Sequence, residues 1–130
     1  MNDYPEEYYQ FFVHFNEGDY YTCHDLLEEI WMTDKSNLFL KGLLQMSVAI
    51  YHYEYGNVSG ARLMMNAGKK YIQRYRPAFW GVDLERVHSF IENCLSIIPH
   101  DIEQLPYDCV NELPQLPSFY LNLEENNEKP

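Results

Sequence analysis

His24, Glu28 and Trp31 fall within the stretch HDLLEEIW, residues 24–31, and their spacing is what invites a chemical reading of this chain. Residues four apart lie one turn apart on the same side of a helix, so the imidazole and the carboxylate become neighbours. Two chemistries fit that pair. His24 and Glu28 could be half of a site for a divalent metal ion, or they could form a buried hydrogen-bonded pair. A structural metal takes four protein ligands and a catalytic zinc about three plus water, so the pair alone is incomplete. His52 is the candidate third ligand.

The elements that must position these residues read as helices. Tyr8, Phe11, Phe12 and Phe15 recur at helical spacing between Pro5 and Asn16, and Gly18 suits a stop. Asp19 is a plausible cap for a second helix carrying Cys23, Leu26, Leu27, Ile30 and Trp31, which TDKSN interrupts. Residues 37–56 are apolar nearly all round, as expected of a central helix. Along it Gly42, Gln45, Ala49, His52 and Gly56 form a small, polar seam where another backbone can approach closely.

Asn57 can cap a fourth helix that ends before Pro77. A loop, RPAFWG, then leads to Asp83 as cap of a fifth helix with an apolar face of Leu84, Val87, Phe90, Ile91, Cys94, Leu95 and Ile98. Pro99 ends it. Pro106, Pro114 and Pro117 predict an extended segment over 99–123, packed in places, and the charged EENNEKP is expected to be mobile. The fold expected is all-α: a single five-helix antiparallel bundle over 1–98, with an extended Pro-rich C-terminal segment over 99–130. GDYYTCHDLL and GNVSGARLMM also echo each other at a period of 38 residues, which favours a binding role without amounting to a repeat array.

Hairpin geometry favours one of the two chemistries. If the second helix ends near Met32 and the third begins near Asn37, antiparallel packing sets His24 level with Gln45. His52 then lies roughly 10 Å further along, in addition to a helix separation of about 8–10 Å. Gln45 is the better partner, and the reading favoured is a buried polar network of His24, Glu28 and Gln45 that fixes the register of two helices. Trp31 is read as core, with an indole nitrogen that needs one partner. His14, His88 and His100 show no partner pattern and are read as surface or interfacial residues. The alternative is a metal-binding protein or metal-dependent hydrolase using His24 and Glu28, with Glu28 or Asp25 as base beside a bound water.

Composition narrows the field. At 130 residues, 46% hydrophobic and 16% aromatic, the chain is one globular domain's worth. A net charge of −11 repels a phosphate backbone, so nucleic acid is not an expected partner, and no apolar run approaches the roughly 18 residues needed to cross a membrane. The acidic start lacks a secretory signal, and Cys23, Cys94 and Cys109 form no CxxC pair, so a cytoplasmic protein with reduced, buried thiols is expected. Five of the nine basic residues, Arg62, Lys69, Lys70, Arg74 and Arg76, fall on the fourth helix as a solvated face complementing acidic neighbours. No HExxH, GxSxG, P-loop or dinucleotide fingerprint occurs, which leaves enzyme activity undecided and favours a scaffold or binding role. The partners in view are a protein or a second copy of the chain, docked on an aromatic groove around Phe79, Trp80 and some of the twelve tyrosines.

FNEGDYYTCHDLLEEIW together with FLKGLLQMSVAIYHYEYGNVSGARLMM resembles the domain of unknown function 309 family, small all-helical prokaryotic proteins marked by an HxxxExxW motif. Here that motif is His24, Glu28 and Trp31, and the likeness extends through RPAFWGVDL, covering residues 11–84. The resemblance implies a helical fold and a suggestion of metal binding through the motif, with no activity to carry across. Asp25 follows the histidine where the family often shows Glu, which keeps the carboxylate.

Overall fold

The structure, a computed structural model, describes residues 3–124. Five α-helices carry most of it: α1 (Glu6–Asn16), α2 (Tyr20–Met32), α3 (Leu38–Glu54), α4 (Val58–Ile72) and α5 (Leu84–Ile97). The start of each helix from α2 onwards has a local cause. The side chains of Asp19, Asn37 and Asn57 accept from the backbone N–H of Thr22, Leu40 and Gly60, and Asp83 accepts from Glu85 and Arg86. These acceptors satisfy N–H groups that have no partner in the first turn of a helix. Pro5 precedes α1, where a missing N–H costs nothing.

The helices pack in chain order, α1 on α2, α2 on α3, α3 on α4 and α4 on α5, with the α3–α4 contact the most extensive. Leu40, Leu43, Met46 and Ala49 of α3 are fully buried between its neighbours. The basic residues of α4 and the turn after it partly meet acids as expected. Lys69 bonds Glu92 at 2.5 Å, Arg76 reaches both carboxylate oxygens of Glu85 at 2.7 and 2.9 Å, and Arg62 donates to the carbonyl of Pro99. No helix among the described residues is long and apolar enough to cross a membrane.

Two features correct the all-α expectation. RPAFWG is not a plain loop, because β1 (Ala78–Phe79) pairs antiparallel with β2 (Val82–Asp83), Phe79 opposite Val82. The two residues between them, Trp80 and Gly81, have φ of 50° and 75°. Two successive left-handed residues give the tight turn whose twist matches an antiparallel pair. Such turns are ordinarily announced by Asn-Gly or Asp-Gly, and Trp-Gly carries a weaker signal.

The second concerns the C-terminal segment, expected to be extended and packed in places: the packing is present, and a helical turn interrupts the extension. It contains a 3₁₀ turn at Tyr107–Glu112 and docks firmly. Leu113 and Leu121 are buried, and Tyr53 donates its hydroxyl to the carbonyl of Pro114. The backbone N–H of Glu124 donates to the carbonyl of Gly81 at 2.7 Å. Of the stretch EENNEKP only Glu124 is described, so the expectation for residues 125–130 lies outside the described residues.

Candidate functional site

The three motif residues lie along α2, and the structure gives each a different environment. His24 is half exposed and its Nδ1 contacts Oδ1 of the adjacent Asp25 at 3.3 Å. Glu28 is exposed. Trp31 is half buried, with the ammonium of Lys41 4.5 Å and that of Lys35 5.8 Å from its ring centroid. Its Nε1 is buried and has no hydrogen-bond partner among the described residues. On α3, the Oε1 of Gln45 is likewise buried and unpartnered.

The hydrogen bonds expected among His24, Glu28 and Gln45 are therefore not formed. A carboxylate one residue along the chain takes the imidazole, and Glu28 projects from the face of α2 that water reaches. His52 is also engaged elsewhere. Its Nδ1 lies 3.2 Å from Nδ2 of Asn57, and burial pushes its pKa below the ordinary imidazole value. Among the described residues no hydrogen bond or ion pair joins His52 to His24. Among the described residues no three His, Cys, Asp or Glu side chains converge as a metal would require. His24 and Glu28 supply two ligands on one helix and do not by themselves fit a resident metal.

His52 belongs instead to a corner built twice. At the α1–α2 corner His14 Nδ1 lies 3.2 Å from Asp19 Oδ2, Gly18 has φ 82°, and the Asp19 N–H donates to the His14 carbonyl at 2.9 Å. At the α3–α4 corner His52 contacts Asn57, Gly56 has φ 86°, and the Asn57 N–H donates to the His52 carbonyl at 2.9 Å. In both, a left-handed glycine ends one helix and the following Asp or Asn caps the next, its side chain also meeting the histidine. The 38-residue echo marks this recurring corner. It also corrects the reading of His14 as unpartnered; His88 in turn lies 3.9 Å from Glu92.

One face of α3 remains partly open between α2 and α4. Lys41, Leu44, Gln45, Val48, Tyr51 and His52 are half buried along it and Tyr55 is exposed. A ladder of tyrosine rings crosses this face: Tyr21 and Tyr51 at 5.5 Å, Tyr51 and Tyr55 at 4.6 Å, Tyr55 and Tyr107 at 5.1 Å between centroids. Tyr21, Tyr55 and Tyr107 are 58%, 51% and 65% exposed, too much for core residues. Carboxylates flank the ladder along the chain, with Asp25, Glu28, Glu54 and Asp108 all exposed. The sequence showed Tyr51 and Tyr55 one turn apart, but joining them to Tyr21 and Tyr107 requires the packing of α2 and of the tail. Phe79 and Trp80, expected to line a groove, are half buried instead. Trp80 packs on Tyr4, Tyr8 and Phe39, and its carbonyl accepts the Tyr8 hydroxyl at 2.8 Å.

The family of domains of unknown function DUF309 matches residues 8–64, a span from α1 into α4 that includes the whole motif. Residues 8–64 form a DUF309 domain. Among its relatives, the uncharacterized protein YpuF of Bacillus subtilis is 41% identical over 69 residues, 49% of this chain and 40% of that protein. An uncharacterized protein of Aquifex aeolicus is 25% identical over 83 residues, 62% of this chain and 25% of that protein. The chain thus spans less than half the length of either relative. No solved structure matches it.

Proposed function

We propose that this DUF309 chain is a cytoplasmic protein-binding module, and that the tyrosine ladder beside the HxxxExxW helix docks a basic, arginine-rich segment of another protein. The observation that carries this reading is the ladder itself, with Tyr21, Tyr55 and Tyr107 each more than half exposed. Tyrosine offers a large contact area at low conformational cost, and its ring face attracts a guanidinium by about 0.5–1 kcal/mol at an exposed site. The flanking carboxylates add long-range attraction for a basic partner and fast encounter with it. Charge favours such a partner over a second copy, because each copy carries −11. Three free cysteines, two of them buried, support a reducing compartment. His24, Glu28 and Trp31 enter this reading as the edge of the docking face, in place of ligands for a metal.

The test is calorimetric titration with a synthetic peptide alternating arginine and proline, against one alternating glutamate and proline. Saturable binding of the basic peptide, at least tenfold weaker in Tyr51→Ala and Tyr55→Ala, is the expected result. Equal affinity in both tyrosine variants would remove the ladder from the site, and concentration-dependent dimers in light scattering would point to a second copy instead.

A further inference from the structure

A cavity lies away from the HxxxExxW motif, where the α1–α2 corner, the end of α3 and residues 110–120 meet. Its volume is about 740 Å³, within the size range that holds small organic molecules. Glu17 and Glu54 line it together with the rings of Phe15, Tyr20, Phe90 and Phe119. Among the described residues no lysine, arginine or histidine does. We propose that this cleft binds a small organic cation, an ammonium group carried on an apolar body, with Glu54 as its counter-charge and the aromatic rings as its walls.

The argument starts from Glu54. Its carboxylate, exposed at the rim of the cleft, has no hydrogen bond or ion pair among the described residues, and the part of its water shell that the cleft removes pushes its pKa above the usual carboxylate value. A carboxylate that loses part of its solvation with nothing in return is disfavoured, and a cation seated beside it offsets that loss. Tyr20 shares that environment. Burial, with the charge of Glu54 adding to it, pushes its hydroxyl up to about 12, so the ring stays neutral and its hydroxyl remains available as a donor. An anion meets two glutamates here and no basic group, and a neutral apolar molecule leaves Glu54 as costly as before. A cation with an apolar body satisfies both halves of the lining, because ring faces attract positive charge and the apolar body covers them. Phe119 already shows that behaviour, with the guanidinium of Arg86 5.1 Å from its centroid, although Arg86 is not part of the lining. The tail forms one wall, held by the hydrogen bond from Tyr53 to Pro114, so the cleft exists only while residues 110–120 are docked.

Glu54 also flanks the tyrosine ladder, but the cleft and its aromatic walls are separate from that ladder and do not depend on its reading. Its test uses the full chain and two molecules of nearly equal shape, 2-phenylethylammonium and the neutral 2-phenylethanol, titrated by calorimetry and followed by NMR. The expected result is that the ammonium binds at least tenfold more tightly than the alcohol, and that Glu54→Gln removes the preference. Glu17→Gln is measured beside it, so that the lining is still tested if the first variant fails to fold, and a preference reduced in that variant also supports the proposal. Glu28→Gln, on the motif helix outside the lining, should leave binding unchanged. Equal binding of the two molecules, an undiminished preference in both lining variants, or a loss in Glu28→Gln as large as in Glu54→Gln would overturn the proposal.

Discussion

Gly42 on α3 and Gly68 on α4 face each other at the most extensive helix contact of the fold. A Cβ on Gly68 would stand 3.1 Å from the Gly42 carbonyl oxygen, and one on Gly42 would stand 2.6 Å from Ile72 Cγ2. The two sites differ in what must give way. At Gly42 the obstacle is the branched Ile72, itself fully buried, so Gly42→Ala is overpacked. Overpacking costs about 1–3 kcal/mol, while alanine's better helix propensity returns about 0.5–1, leaving a net loss of roughly 0–2.5 kcal/mol. At Gly68 the contacts are tight without collision, and the two effects should nearly cancel. Urea denaturation of the two variants checks this order; equal losses would mean that the helices do not approach as described.

The unpartnered polar atoms of Trp31 and Gln45 lead to an expectation opposite to the one a buried network implies. A network would make His24→Ala and Gln45→Ala each cost about 1–3 kcal/mol and couple them. With His24 turned to Asp25 and the Gln45 oxygen unpaired, the two substitutions should instead add, with a coupling below about 0.5 kcal/mol. Gln45→Leu should be neutral or stabilising by up to about 1 kcal/mol, because it removes a buried acceptor that bonds nothing. A double-mutant cycle measured by chemical denaturation decides between the two, and strong coupling would restore the network.

Glu54 gives stability a pH dependence of defined sign. Burial raises its folded-state pKa above the ordinary 4.5, so the folded state holds this proton more tightly than the unfolded chain does. Its contribution to stability is therefore full below about pH 4.5 and is lost as pH rises through the folded value. Glu54→Gln should raise the melting temperature at pH 7 and leave it unchanged at about pH 3.5, where both states are protonated. Melting curves of the two proteins across that range are the measurement. A variant less stable at pH 7 would show that Glu54 has a favourable partner after all.

The helices were legible because their signals are local. Asp19, Asn57 and Asp83 cap where their side-chain chemistry predicts, Asn37 caps the helix expected to begin there, and the glycines of the two corners take the left-handed angles that favour glycine. The candidate site was less legible because it depends on distant pairings. Nothing local says that Tyr107 will stack on Tyr55, or that Phe119 will lie parallel to Phe90 at 4.3 Å. The motif itself misled at one step. Helical spacing correctly made His24 and Glu28 neighbours, but burial of α2 stops short of Glu28, and the carboxylate next in sequence took the imidazole.

The C-terminal segment supplies the last prediction, because its docking is both polar and apolar and the two parts can be separated. Asn16, the final residue of α1, receives the N–H of Leu121 on its side-chain oxygen and donates its amide to the Leu121 carbonyl, each at 2.8 Å. Leu121 is 2% and Leu113 9% exposed, so both side chains are part of the core. Ending the chain after residue 112 removes both leucines, each worth about 1.5–3 kcal/mol of burial, and several kcal/mol should be lost. Asn16→Ala in the full chain leaves the Leu121 backbone groups unpaired and should cost about 1–3 kcal/mol. In the shortened chain the same substitution has no hydrogen bond left to break, so its cost should fall to near zero. If Asn16→Ala is equally damaging in both backgrounds, the asparagine acts within α1 alone and does not hold the tail.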